Sequence, residues 1–291
     1  MEERKSKWSI RGKTCLITGA TSGIGKVTAM ELARRGANIV CTERNIKKAE
    51  KVKGEIISKT QNLNIDFLEC DLSSFKSIKN FVESFKLKYS ALHVLINDAG
   101  VWNAKRKLSE DGIENTFAVN YLAPFLLTNL LLDVMKQSAP ARIINVSSEF
   151  HRRGKIDFDK LEFKKHYNSI QAYSQSKLAL ILFTKILSRR LKGTGITVNA
   201  AHPGLVKTEI FRDLPFVLKK AIHLFALTNE EGAKTSIYLA TSKEVSNISG
   251  EYFAREKITK SSDESYDIEK AKKLWDVSIE YVREYIKNSE I

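Results

Sequence analysis

Apolar residues in this chain fall into two recurring patterns. Short runs with almost no polar alternation, TCLIT, NIVCT, IDFLEC, HVLIN, RIINVS and ITVNAA, are separated by longer stretches of helical length. A strand that is apolar on both sides suits a sheet covered by helices on both faces. The regular alternation of strand and helix predicts right-handed βαβ units. The expected fold is α/β, a doubly wound parallel sheet in a single domain over residues 1–291, with a later run, GEYFA, as a further strand of the same sheet. The chain shows no repeat, low-complexity segment or Pro/Gly/Ser-rich linker.

One segment breaks the rhythm. Residues 207–228, KTEIFRDLPFVLKKAIHLFALT, carry aromatic and aliphatic residues on short helical patterns. Ligands of open α/β sheets sit beyond the carboxyl ends of the strands, so this insertion is a candidate lid, with a helix pair packed permanently on the body as the other reading.

Composition narrows the class. At 291 residues and 33.0 kDa the length suits one large α/β domain or two smaller ones. The longest apolar stretches, such as FLLTNLLLDVM, are short and interrupted, so no membrane span is expected. The start, MEERKSKWSIRGK, has the pattern of neither a signal peptide nor an anchor. Cys15, Cys41 and Cys70 lie in or beside strand-like runs and read as reduced core residues, which suits a cytoplasmic location. The five histidines lack metal-ligand spacing, so no metal site is expected. A formal charge of +14 is spread along the length without a basic helix or aromatic platform, and nucleic acid is not an expected partner.

Chemistry enters at the first strand-to-helix junction. TGATSGIG, Thr18 to Gly25, follows the first strand and runs into a helical pattern. Gly19, Gly23 and Gly25 allow a tight turn and close backbone approach to a pyrophosphate received at the helix N-terminus. The second strand ends CTERN, placing Glu43 and Arg44 where an adenosine ribose would be read. A carboxylate there accepts from the ribose hydroxyls and repels a 2′-phosphate, and a guanidinium attracts it. Further on, QAYSQSK puts Tyr173 and Lys177 four residues apart, on one face if helical. That spacing alone also fits an ordinary helix surface, a half-buried tyrosine beside a solvated lysine.

Together these motifs resemble a short-chain dehydrogenase/reductase of the Rossmann fold over roughly Gly12 to Tyr285, and its retinol dehydrogenase-like branch in LHVLINDAGVW, PARIINVSS and GTGITVNAAHPG. The long interval from Ser148 to Tyr173 fits that branch as well. The resemblance implies catalytic roles for Tyr173 as general acid/base, Lys177 as the cation that lowers its pKa, Ser148 as holder of the substrate oxygen (Ser147 being the fallback) and Asn120 as holder of a water. It implies a cofactor site built from Gly19, Ser22, Gly23, Ile24 and Gly25, from Glu43 and Arg44, from Asp71 and Leu72 in CDLSS, and from Asn97, Ala99 and Gly100 in NDAG. Pro203, Gly204, Val206 and Thr208 in HPGLVKT would close over the nicotinamide beside Tyr173 and Lys177. The chain departs from the family's Asn-Asn-Ala-Gly at Asp98, which leaves the bracing of the sheet by that amide open.

The implied activity is hydride transfer between a nicotinamide cofactor, NADP with NAD as the second option, and a lipophilic alcohol, aldehyde or ketone. A non-catalytic NAD(P)-binding redox sensor is the alternative. The resemblance also implies self-association as a homodimer or homotetramer, through exposed faces of the Tyr173 helix and of the helix after Asn120, with a monomer as the alternative.

Overall fold

The structure, a computed structural model, describes residues 8–206 and 227–286. Seven parallel strands form the sheet: β1 (Thr14–Ile17), β2 (Asn38–Glu43), β3 (Ile65–Glu69), β4 (Val94–Asn97), β5 (Ala141–Val146), β6 (Ile196–His202) and β7 (Tyr252–Ala254). A two-residue strand, β8 (Lys257–Ile258), closes one edge, and the order is β3-β2-β1-β4-β5-β6-β7-β8. The doubly wound fold expected from the pattern is present.

β8 was not anticipated. It runs antiparallel to β7 after a hairpin whose Arg255 and Glu256 both have positive φ, and its exposed Lys-Ile pair carries no apolar signal.

Helices cover both faces. On one side lie α1 (Gly23–Arg34), α2 (Ile46–Thr60) and α6 (Asn229–Thr241); on the other lie α3 (Phe75–Lys88), α4 (Asn115–Gln137), α5 (Ser169–Arg190) and α7 (Ile268–Val282). The two-residue period of the strands feeds two cores. Cys15, Ile17, Ile39 and Cys41 join the cluster under α1 and α2, while Leu16 and Val40 point into the cluster under α3, α4 and α5. The chain crosses over between β3 and β4, so β1 and β4 are neighbours whose following loops diverge to opposite faces. That divergence opens the crevice in which a site can form.

Helix α4 is long and apolar enough to span a bilayer by length and composition, and its apolar window is 94% buried inside the protein. Its second turn is a π-helical segment, Ala118–Leu122, centred on Asn120. Helix α7 starts at Asp267, whose side chain accepts from the Lys270 N–H at 2.9 Å. It buries Ala271, Leu274, Trp275, Ser278 and Val282, a single stripe at three- and four-residue spacing.

That stripe lies across α4 and α5. Trp275 packs edge-on to Phe125, at 5.0 Å between ring centroids, and 5.9 Å from Phe183, while the Tyr121 and Ser278 hydroxyls bond at 2.7 Å. The faces expected to mediate self-association are therefore already covered from within the chain. The sequence pattern of α4 and α5 shows only that these faces are apolar, not which element covers them.

Candidate active site

The carboxyl ends of β1, β4, β5 and β6 and the N-terminal turn of α5 surround one cavity of about 590 Å³, which Gly19, Asp98, Ser148, Tyr173, Lys177 and Gly204 all border. Its phosphate end is shaped by glycine. Gly19 has φ +73°, and a Cβ there would lie 2.9 Å from the Ala99 Cα; a Cβ on Gly25 would meet the Gly19 carbonyl oxygen at 2.5 Å. Ser22, the N-cap of α1, makes no side-chain capping bond, and the first turn holds no acidic residue. The Gly23 and Ile24 N–H groups at the start of α1 are thus available to an anion, while the Gly25 N–H is taken by Asp98. Uncapped helix amides beside a cradle that any Cβ would fill fit the pyrophosphate of a dinucleotide.

At the end of β2 the two rival side chains separate. Glu43 turns inward: its carboxylate accepts from the Thr21 hydroxyl and from the backbone N–H groups of Arg44 and Asn45 at 2.9 and 3.0 Å. Arg44 is exposed at the cavity mouth, with Asn45 and Lys48 beside it. Lys26, by contrast, is paired with Glu55 at 2.5 Å and lies away from this cavity.

At the catalytic end, Asn168 caps α5 by accepting from the Ile170 and Gln171 N–H groups at 3.1 Å each, and one turn later Tyr173 and Lys177 are both buried. Tyr173 stacks on Trp102 at 4.6 Å between centroids, and Phe150 meets both rings edge-on at 5.7 and 5.2 Å. Lys177 donates to the Val146 carbonyl at 2.9 Å and lies 5.7 Å from the Tyr173 ring centroid. Burial pushes the Tyr173 phenol up to about 12, with the Asp98 charge adding and the Ser148 hydroxyl opposing. Burial brings the Lys177 ammonium down to about 8, against the pull of Asp98.

In the protein alone, burial holds Tyr173 as a neutral proton donor.

The serines also divide. Ser147 is buried and donates to the Lys177 carbonyl at 2.9 Å, anchoring α5, while Ser148 is partly exposed in the cavity. Ser148 is held in place by His151, whose Nδ1 donates to its carbonyl at 2.6 Å. The other ring nitrogen, Nε2, accepts from the Ser262 N–H at 3.1 Å, so the proton must sit on Nδ1.

The Asn120 side chain is tied to its protein neighbours. Its Oδ1 accepts from the Val101 N–H at 2.7 Å, and its Nδ2 donates to the Val101 carbonyl and to Ser176 at 2.9 and 3.0 Å. With both amide protons engaged, Asn120 is a positioning residue that locks the loop at Val101, next to Trp102, to α5.

Of the remaining expected residues, Ser22, Gly23, Ile24, Ala99, Gly100, Pro203 and Val206 border the cavity. Asn97 sits behind it, donating to Asn145 at 2.8 Å and to Thr128 at 3.2 Å, and so bracing β4 against β5 without help from position 98. Asp71 and Leu72 lie beyond the cavity lining; the Asp71 carboxylate accepts from the N–H and hydroxyl of Ser73, each at 2.8 Å. Thr208 and nearly all of the candidate lid fall outside the described residues. The ends of that segment meet at the cavity rim, where Val206 pairs with Leu227.

Trp102, Phe150 and His202 are lining residues that sequence reasoning missed. The tryptophan two residues after NDAG was the available signal.

Comparisons with known proteins agree with this geometry. The short chain dehydrogenase family matches residues 13–215. Retinol dehydrogenase 13 of Homo sapiens is 45% identical over 279 residues, covering 93% of this chain and 84% of that protein. Retinol dehydrogenase 14 of Homo sapiens is 42% identical, covering 92% and 86%. Among solved structures, an uncharacterised protein from Mycobacterium paratuberculosis superposes with a TM-score of 0.78 at 32% identity, over 94% of this chain and 95% of that one. An NAD(P) dependent gluconate 5-dehydrogenase from Beutenbergia cavernae with bound NADP gives 0.70 at 25%, over 85% and 96%.

Proposed function

The chain belongs to the short-chain dehydrogenase family and is an NAD(P)-dependent oxidoreductase acting on CH–OH groups; on that premise we propose that it interconverts a lipophilic alcohol and its carbonyl compound, using NADP(H) in preference to NAD(H). The observation that carries this reading is the stack of Trp102 and Phe150 on Tyr173, which puts an apolar wall against the proton donor. Leu205 and Val206 add apolar surface elsewhere in the same cavity. A lipophilic substrate gains from such a surface, and a sugar does not. The relatives named retinol dehydrogenases support the same class.

The cofactor supplies or receives the hydride. The Gly23 and Ile24 amides and the Gly19–Gly25 cradle would hold its pyrophosphate, and Arg44 would meet a 2′-phosphate, with the neighbouring Glu43 carboxylate occupied by Thr21 and the backbone. In the reductive direction Ser148 holds the carbonyl oxygen while Tyr173 gives it a proton. The buried Lys177 ammonium lies beside the phenol that is left ionised. Trp102 and Phe150 exclude water from this transfer. The three buried, unpaired cysteines suit a reducing compartment, and a cytoplasmic location is part of the proposal.

The test is a turnover screen with each cofactor against retinal, long-chain aliphatic aldehydes, steroid ketones and open-chain sugars. Highest kcat/KM on an apolar carbonyl with NADPH is expected. Turnover confined to sugars would overturn the substrate class, and tight cofactor binding with no turnover of any carbonyl would favour the redox-sensor alternative.

A further inference from the structure

Position 98 carries an ionisable group where the resemblance implies an amide, and the structure wedges that group between the phosphate turn and the catalytic pair. The Asp98 carboxyl accepts a hydrogen bond from the Gly25 backbone N–H, and a Cβ on Gly25 would lie 2.7 Å from its Oδ2, so it is pressed against the start of α1. The Thr18 hydroxyl at the end of β1 fixes the residue from the other side, accepting the Asp98 and Ala99 N–H groups at 3.0 Å each. From α5 the charge of Lys177 acts on Asp98, and that of Asp98 acts on both Lys177 and Tyr173. The groups that meet it from α1 and β1, the Gly25 amide and the Thr18 hydroxyl, do not titrate near neutrality. Asp98 borders the same cavity as the turn and the pair.

We propose that Asp98 is a proton-linked specificity residue of the cofactor site, which takes up a proton as the cofactor phosphates settle on the glycine turn and returns it when they leave. This rests on the nicotinamide-enzyme reading above. Burial pushes the carboxyl up to about 7, against the Lys177 charge and the Gly25 N–H, so it is poised in the neutral range before any ligand arrives. Phosphates brought to the same turn favour its neutral form further, and by linkage the affinity for them falls as rising pH ionises it. An asparagine keeps the acceptor for Gly25 and takes up no proton. The substitution therefore makes cofactor affinity a function of pH in a site where an amide leaves it level.

The experiment is isothermal titration calorimetry of NADPH binding to the full chain, wild type and Asp98→Asn, in two buffers of different ionisation enthalpy between about pH 6 and pH 8. The reduced cofactor avoids a positive nicotinamide ring. The 2′-phosphate titrates near pH ~6 in both complexes, so the difference between the two proteins reports residue 98 together with Lys177, whose ammonium its charge supports. Net proton uptake by the wild type beyond that of the variant is expected, with Kd rising roughly three- to tenfold more across that range. Parallel uptake and parallel Kd curves overturn the proposal and leave the function reading intact; failure of both folded proteins to bind NADPH overturns the two together. Should Asp98→Asn not fold, carbon-13 carboxyl titration of the wild type decides the matter. A rise of the Asp98 pKa on NADPH binding supports the proposal, and an unchanged value overturns it.

Discussion

Tyr173 holds a proton that burial makes hard to remove, and this fixes how each direction of reaction should respond to pH. Reduction needs the phenol protonated, a condition met well below its value of about 12, whereas oxidation needs it ionised. With saturating substrates between about pH 6 and pH 10, the reduction rate is expected to stay nearly level while the oxidation rate climbs. A level oxidation profile, with the chemical step shown to be rate-limiting, would assign the proton to another group. Tyr173→Phe keeps the ring against Trp102 and removes the hydroxyl, so turnover should fall by about 10²–10⁴ while NADPH affinity, read by fluorescence titration, changes little. The identities of Tyr173, Lys177 and Ser148 were legible because chemistry restricts the residue types and spacing. Their protonation was not, since burial is a property of everything packed around them. Asn120 shows the same limit: its position was legible, but its work is set by Val101 and Ser176, which only the fold brings to it.

Among the elements, the end of β2 shows how local wiring decides between rival side chains. Sequence places Glu43 and Arg44 side by side and leaves their effects opposed. The structure folds the carboxylate onto Thr21 and the N–H groups of residues 44 and 45, leaving the guanidinium at the mouth. Arg44→Ala should therefore lower kcat/KM for NADPH by about tenfold, corresponding to ~1–2 kcal/mol, and leave that for NADH nearly unchanged. Glu43→Ala removes an acceptor that three donors share, so it should weaken both cofactors together. Steady-state kinetics with both cofactors separates the two outcomes, and a gain in NADPH preference in Glu43→Ala would show that the carboxylate still faces the ligand. The long, strongly patterned strands and helices were legible in the apolar pattern. The π-helical turn at Asn120 and the two-residue β8 were not, because each is made by a few backbone bonds and leaves no apolar period.

For the whole molecule, α7 is the element that completes the core. Trp275 is buried against Phe125 and Phe183, with the Arg190 guanidinium 4.2 Å from its ring centroid. Trp275→Ala should cost about 3–5 kcal/mol of stability, measured as a lowered urea midpoint without a changed m-value. Because α7 occupies the faces of α4 and α5, light scattering at micromolar concentration is expected to give a 33.0 kDa monomer; a dimer would have to use another face. Strand β7 was readable in GEYFA, but the pairing of a helix near residue 275 with two that lie far upstream is a long-range fact that local periodicity does not contain.

That pairing also sets a schedule for synthesis. The ribosome makes α4 and α5 long before the stripe Ala271–Val282 that covers them, and the Ser262 amide that steadies His151 arrives almost as late. A nascent chain stopped short of residue 268 carries Tyr173, the glycine turn and most of the sheet, yet presents a bare wall of Phe125, Phe183 and their neighbours. Exposed apolar surface of this kind on an incomplete chain invites aggregation. Chaperones that bind apolar surface should therefore stay on this nascent chain until α7 leaves the exit tunnel, and release it abruptly once that helix docks.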